Sequence, residues 1–448
     1  MLTTKKESEK ALLVCTTIPK SGSKKSIKQK IHKEHLDELE FLTETAGAEV
    51  VAKFYQEREK IDSAYFIGIG KAELIASAVE EQDIDLVIFE NSLTPTQIRN
   101  LERLIKCKVI DKPALILDIF ASNARTAESK TQVELAQLQY LLPRLTRQWT
   151  HLSKQYGGIG TKGPGETQIE TDRRLVNTRI SVLKEKLKKI EEQRKTQRQQ
   201  RSNFIRIALV GYTNAGKSTL LNTLTDSKVY VENKLFATLD TSTKLLKQIN
   251  GNKIHYPVLM SDTVGFIRNL PHDLIVSFKS TLAEVVEADI LIHIVDISSE
   301  NFLEQISVVD ETLSELNAAQ KPTILTFNKV DVLSGNANSI ISNLKIHFPD
   351  AVFISAEKGI NLNSLNKKIF EIISKELIET EIKIPVANTD AYKIVNELHK
   401  KVEILETKYL SKSIKLKIRA HKSVLDKINK SLNHIKFSNK KVSKVFGD

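Results

Sequence analysis

The chain has 448 residues, 41% of them hydrophobic, enough for real cores and consistent with about two or three domains. No apolar run approaches a membrane span, the N-terminus lacks a signal-peptide pattern, and the two cysteines, Cys15 and Cys107, offer no framework of bridges, so a cytoplasmic protein without a membrane span is expected. Lys and Arg number 67 against 55 Asp and Glu, a formal charge of +12, which points to a polyanionic partner such as nucleic acid.

Residues 1–125 read as a first α/β unit. Residues 11–15 form a strand, 20–33 a basic loop, and 36–46 a helix with Leu36, Leu39, Leu42 and Ala46 on one face. Residues 49–54 are the next strand, and 64–67 a short one. The Gly68, Gly70, Lys71 cluster after it lacks the glycine spacing of a phosphate loop and reads as a turn opening a helix to about residue 80. Residues 85–89 are a strongly apolar strand, and Thr94 caps a helix over 94–105 with Pro95 at its first position. Strands alternating with helices argue for a parallel sheet.

Residues 126–204 differ. Leu135, Leu138, Leu142, Leu145, Trp149 and Leu152 recur at spacings of three and four, as do Ile180, Leu183, Leu187 and Ile190. These stripes predict two long amphipathic helices packed as an antiparallel hairpin, the first kinked at Pro143. Between them, Gly157, Gly158, Gly160, Gly163 and Gly165 fall within nine residues that also hold Lys162, a composition no helix tolerates. It is either a plain flexible connection or a functional loop. Residues 173–206, starting with Arg173 and Arg174, carry twelve Lys/Arg against three Glu, a solvated face or a polyanion-binding one.

Residues 205–380 read as a nucleotide-binding domain. The apolar strand at 205–210 runs into Gly211, Tyr212, Thr213, Asn214, Ala215, Gly216, Lys217 and Ser218, followed by Thr219 and a helix. This is the phosphate-cradling pattern in its strand–loop–helix setting: backbone N–H groups and the helix N-terminus face phosphate oxygens, Lys217 reaches the outer phosphates, and Ser218 ligates Mg²⁺. Phe236, Ala237, Thr238, Leu239 and Asp240 sit where a first switch belongs, with Thr238 completing the Mg²⁺ shell. A strand then ends in Asp262, Thr263, Val264 and Gly265, resembling the γ-phosphate sensor of GTPases, with Asp262 holding Mg²⁺ through water and the Gly265 N–H on the γ-phosphate. Asn328, Lys329, Val330 and Asp331 follow another strand and resemble the guanine-reading motif of GTPases. Asp331 can accept from the ring N–H and the exocyclic amine, donors that adenine lacks in that arrangement; Asn328 ties this loop to the phosphate loop. Ser355, Ala356 and Glu357 resemble the loop that contacts the guanine carbonyl. Lys217, Thr238 and Gly265 are the expected catalytic residues. Phe266 stands where Ras-like proteins place a water-positioning glutamine, so positioning must come from elsewhere. Asn214 could ligate K⁺ beside the phosphates or simply shape the loop; both remain open.

Residues 381–448 form a small α+β appendix: strand 382–386, helix 390–401, alternating strand signal over 409–420, helix 422–435, and a basic tail from Lys436.

Taken together, the chain resembles the HflX family of ribosome-associated GTPases. The most specific stretches are GGIGTKGPGETQIETDRR at 157–174, ARTAESKTQVELAQLQYLLPRL at 124–145, FATLD at 236–240 and DTVGFIRNLPHDLIVSFKSTL at 262–282. The resemblance covers nearly the whole chain and implies an N-terminal parallel α/β domain with a long helical hairpin, a Ras-like domain and a small C-terminal domain. It also implies cytoplasmic GTP hydrolysis to GDP on the large ribosomal subunit and its rRNA, with some members splitting stalled ribosomes under stress; Phe266 is the family's own habit. A monomer with slow, ribosome-stimulated turnover is expected, and Gly157 to Gly165 with Lys162, Arg173 and Arg174 are the expected ribosome contacts. Two other readings stand beside this one: a nucleotide-gated RNA-binding module with negligible hydrolysis, and an RNA-modification GTPase, for which no second active site is visible.

Overall fold

The computed structural model describes residues 8–17, 25–148, 164–200, 204–225, 235–236, 241–249, 252–268, 282–333, 337–385, 394–396, 398, 402–421, 425 and 436–438. Its contacts divide the chain into two units: Met1–Glu192 with Glu232–Asp240 and Asn269–Ser280, and the remainder.

The first unit runs β1 (Lys10–Thr17), α1 (Lys25–Ala46), β2 (Glu49–Glu57), α2 (Ile69–Gln82), β3 (Leu86–Phe89), α3 (Pro95–Ile105), β4 (Lys108–Asp111), α4 (Lys112–Asn123), α5 (Ala127–Gln148) and α6 (Pro164–Gln200). Its sheet has the order β2-β1-β3-β4, with every pairing parallel. Central strand β1 is buried along almost its whole length, with Leu12 and Val14 packed in one core with Ile75, Val87, Phe89 and Leu101.

Three expectations change here. Helix α1 begins at Lys25, so most of the expected basic loop is helical; lysines and glutamine there are good helix formers. Residues 64–67 are not a strand: the Asp62 carboxylate accepts from the N–H groups of Ala64 (2.8 Å) and Tyr65 (2.9 Å), closing a turn. The four-residue β4 and the helix after it were absent from the sequence reading. Asp111 caps α4 by accepting from the Ala114 N–H at 3.1 Å. The cap at Thr94 is as expected, a reciprocal capping box with Gln97.

The two helical stripes meet as read: Leu135, Ile180 and Leu183 are buried together, flanked by Leu138, Leu142, Val176 and Leu187. Arg179 pairs with Glu134 at 2.6 Å along the same seam. Helix α5 continues past Pro143 to Gln148. Helix α6 opens at Pro164, so Gly165 belongs to its first turn and not to the loop; proline's fixed φ suits a helix start. Trp149, Leu152, Gly157, Gly158, Gly160, Lys162 and Gly163 lie outside the described residues.

The second unit continues with β5 (Ile205–Gly211), α7 (Lys217–Thr225), β6 (Ser242–Ile249), β7 (Asn252–Asp262), α8 (Ala283–Glu287), β8 (Ile290–Asp296), α9 (Phe302–Glu315), β9 (Thr323–Asn328), α10 (Ala337–His347), β10 (Val352–Phe353) and α11 (Leu362–Glu376). The sheet order is β10-β9-β8-β5-β7-β6, parallel except for the β6–β7 pair. The phosphate-loop, switch and base motifs therefore leave the same edge of the sheet, the carboxyl ends of β5, β7 and β9, where such sheets bind ligands.

A second sheet in this unit comprises β11 (Leu377–Pro385), β12 (Glu403–Leu410), β13 (Ser413–His421) and β14 (Lys436–Ser438), in the order β12-β13-β11-β14, with every pairing antiparallel. The strand signal over 409–420 is thus a hairpin turning at Ser411 and Lys412. The basic tail supplies an edge strand. Helical residues 394–396 and 398 lie between β11 and β12, and Leu425 between β13 and β14. Ile382, Ile384, Leu416 and Ile418 form the core on one face with Val395, Leu398 and Leu425.

Candidate functional site

The loop between β5 and α7 is held by its own backbone and by the segment after β7. The Thr213 N–H donates to the Phe266 carbonyl at 2.9 Å, and the Phe266 N–H to the Gly211 carbonyl at 3.1 Å. Gly265 is pressed against this loop: a Cβ there would lie 2.8 Å from Thr213 Cα and 3.1 Å from Lys217 Nζ. Phe266, at the glutamine position, is 3% exposed with both its backbone groups engaged. The Tyr212 hydroxyl accepts from the Arg268 N–H at 3.0 Å, and the Arg268 guanidinium pairs with Glu304 at 3.1 Å.

Lys217 is buried, and its ammonium donates to the carbonyls of Gly211 (3.2 Å) and Tyr212 (2.7 Å). Burial pushes it down to about 8; Asp262 pulls it back up and Lys329 adds to the lowering. Ser218 Oγ donates to Asp262 Oδ2 at 2.5 Å, and Asp262 is fully buried. A hydroxyl and a carboxylate brought together at a helix start are hard oxygen donors that fit Mg²⁺. The Thr263 hydroxyl donates to the Leu209 carbonyl at 2.7 Å, which fixes the strand end that carries Asp262. Val264 is buried, whereas Asn214 and Thr219 are half-buried.

The base end is built around Asn328. Its Nδ2 donates to the Ala215 carbonyl at 2.9 Å, and its Oδ1 accepts from the Ala356 N–H at 2.9 Å. One side chain thus joins the phosphate loop, the Asn328–Asp331 segment and the Ser355–Glu357 segment. Lys329 adopts a left-handed φ of 65° and reaches Asp296 at 2.7 Å. Asp331 and Glu357 are exposed and Val330 half-buried, while Ser355 and Ala356 are buried. The Ser355 hydroxyl accepts from the Lys358 N–H at 3.1 Å, and the Thr223 hydroxyl donates to the Ala356 carbonyl at 2.9 Å.

This architecture has close relatives. Residues 33–121 match the family described as GTP-binding GTPase N-terminal, 123–201 the GTP-binding GTPase Middle Region, and 206–329 the 50S ribosome-binding GTPase. A GTPase HflX of Flavobacterium psychrophilum is 49% identical over 360 residues, 76% of this chain and 86% of its own length. The chain belongs to the HflX GTPase family. The HflX of Escherichia coli K12 is 45% identical, covering 79% of this chain and 82% of its own. Among solved structures, a GTP-binding protein from Sulfolobus solfataricus in complex with GDP aligns over 82% of this chain and 99% of its own at 26% identity and a TM-score of 0.42. As a member of HflX, the protein is a P-loop GTPase.

Within this HflX chain, Phe236 belongs to the first unit: its ring meets Phe120 edge-on at 4.8 Å, and its carbonyl accepts from Asn123 Nδ2 at 2.9 Å. Ala237, Thr238, Leu239 and Asp240 lie outside the described residues, so nothing in the structure bears on the Mg²⁺ role expected of Thr238. Arg173 and Arg174 are exposed on α6. Sequence reasoning missed Asp296, which holds Lys329, and Thr223, which holds the Ala356 carbonyl. The signal for Asp296 was its place at the end of an apolar central strand.

Proposed function

We propose that this GTPase couples GTP binding and hydrolysis to association with the large ribosomal subunit. The observation that carries the reading is the double hydrogen bond of Asn328, which ties the phosphate loop to both base-facing segments within a domain matching the 50S ribosome-binding GTPase description. In this reading Gly211 to Thr219 cradle the phosphates, with Lys217 on the outer ones. Asp331 reads guanine, and Ser355 to Glu357 flank it. Ser218, Thr238 and, through water, Asp262 hold Mg²⁺, which supplies charge neutralisation to the phosphates. Asn214 is the candidate for K⁺.

Buried Phe266 can neither orient nor deprotonate water, so basal turnover is slow and the ribosome supplies the missing positioning. The glycine loop, Lys162, Arg173 and Arg174 make the contact with rRNA. The protein acts as a cytoplasmic monomer, and splitting of stalled ribosomes under stress is the physiological outcome. Phosphate release measured with and without large subunits tests this: stimulation of at least about tenfold is expected, and a fast, subunit-independent rate overturns it.

A further inference from the structure

The C-terminal sheet has one apolar face and one charged face, and the charges on the second are not evenly mixed. Cross-strand register places Lys408 opposite Lys415, Lys415 opposite Lys383, and Lys383 opposite Lys436. Residues directly opposite in antiparallel strands share a face. Three adjacent strands, β12, β13 and β11, therefore contribute a lysine to one straight row. With strands about 4.8 Å apart, the row is about 10 Å long.

The neighbouring rows are different. Lys417 pairs with Glu379 at 3.0 Å, and Arg419 with Glu379 at 2.6 Å and Glu403 at 3.6 Å. Both cations are thus held by Glu379 and Glu403, the carboxylates of the Arg419 row. In the lysine row, Lys415 leans to Glu381 at 2.6 Å and Lys408 to Glu406 at 2.8 Å, both carboxylates of the adjacent row. Lys383 is exposed and, among the described residues, has no carboxylate partner. Like charges set directly opposite one another destabilise a sheet. The ion pairs of Lys408 and Lys415 offset that cost in part, and Lys383 stands between them and the sheet edge without one among the described residues.

We infer that this row is a binding site for the phosphate backbone of RNA. A line of cations matches a line of phosphates, whereas a membrane surface calls for charge spread over a face, and Lys417 and Arg419 elsewhere on this face are held by carboxylates. The outward positions beside the row are Glu381, Lys417 and Glu406 on one side and Pro385, Ser413 and Leu410 on the other; none is aromatic, so the site would not stack bases, and its contact would be independent of sequence. The inference deepens the ribosome reading and rests on it only for which RNA is bound.

The test uses the full chain, with Lys383→Gln/Lys415→Gln as the variant and Lys417→Gln as the control from the neighbouring row. A single-stranded uridine oligonucleotide, titrated across salt, is the sequence-neutral probe. Each lost phosphate contact lowers the slope of log affinity against log salt by about 0.7, so the double variant should lose about 1.4 and bind about tenfold more weakly at low salt. The control should keep its slope. Relief of like-charge repulsion should leave the melting temperature of the double variant equal or higher, whereas a purely structural row would lower it. An unchanged RNA slope overturns the inference. So does a charge-dependent affinity confined to phosphatidylserine vesicles. Large subunits, tested in parallel, separate the two readings: if wild type fails to bind them the ribosome reading falls while the oligonucleotide slope still decides this one, and if both proteins bind subunits and oligonucleotide alike, only the lysine row falls.

Discussion

Gly216 and Asn328 are fitted to each other so closely that a Cβ on the glycine would lie 2.2 Å from Asn328 Nδ2. That amide nitrogen is already committed to the Ala215 carbonyl, and its oxygen to the Ala356 N–H. It cannot swing away without leaving buried groups unpaired. Gly216 also has φ at +95°, where any side chain is strained. Gly216→Ala should therefore destabilise the domain by about 2 kcal/mol and abolish nucleotide binding. Asn328→Ala should cost about 2–4 kcal/mol, since it orphans two buried backbone groups. Calorimetric melting with GDP titration checks both; a Gly216→Ala protein that binds GDP normally contradicts the clamp.

The base assignment has its own test. Asp331 is exposed at the mouth of this clamp, on a turn whose Lys329 is anchored to Asp296. Asp331→Asn alters the acceptor pattern facing guanine, so GTP affinity should fall while xanthosine triphosphate gains. Unchanged GTP affinity in a direct titration would show that the carboxylate does not read the base.

Much of this site was legible because each motif is local. The eight residues from Gly211 to Ser218 need only their flanking strand and helix, and the glycine spacing carries the reason. What escaped was set by contacts distant in sequence. Nothing near Phe236 announces that Phe120 and Asn123 receive it, and nothing near Lys329 announces Asp296. Short elements escaped for another reason: Lys108–Asp111 is too brief to show a period, and its identity as a strand comes from pairing with β3. The register that aligns Lys383, Lys408 and Lys415 is invisible without the sheet order.

Lys217 makes nucleotide affinity depend on pH. Its ammonium is lowered from 10.5 to about 8 by burial, so the nucleotide-free protein loses this charge as pH rises through about 8. Phosphates favour the charged form. Affinity for GDP should be constant below pH 8 and fall by up to about tenfold per unit above it, with proton uptake on binding. A flat profile between pH 7 and 9.5 would mean that the ammonium keeps its ordinary acidity.

His293 should make the fold acid-sensitive. It sits in the central strand β8 with 2% exposure, and burial, helped by the nearby Lys217 charge, lowers it from 6.5 to about 4. Asp310 lies 3.8 Å from its Nδ1 but is itself largely exposed. Because the folded value is the lower one, the unfolded chain binds a proton first as pH drops. Stability is therefore intact above pH 6.5 and is lost as pH falls towards 4, by up to about 3 kcal/mol at the limit. His293→Leu should flatten the dependence of melting temperature on pH over that window, and equal slopes for both proteins would assign the acid sensitivity elsewhere.

The last expectation concerns α6 and the glycine-rich segment before it. Arg173 and Arg174 are adjacent and exposed near the start of a helix whose seam with α5 uses Ile180 and Leu183 instead. Removing the arginines therefore leaves the helix packing intact. Arg173→Gln/Arg174→Gln should weaken binding to large subunits and reduce its salt slope by about 1.8 if both guanidiniums meet duplex phosphates. Replacing the nine residues 157–165 with a Ser/Asn linker should go further and abolish subunit-dependent stimulation, because the added side chains then hold the backbone away from its target. GDP affinity should be unchanged in both proteins, since Asn328, Gly216 and Lys217 lie on separate elements. Co-sedimentation over a salt series, run alongside GDP titration, gives the decision. Normal subunit binding by the linker variant at moderate salt would remove the glycine segment from the interface, and a parallel loss of GDP affinity would show that it had supported the nucleotide site.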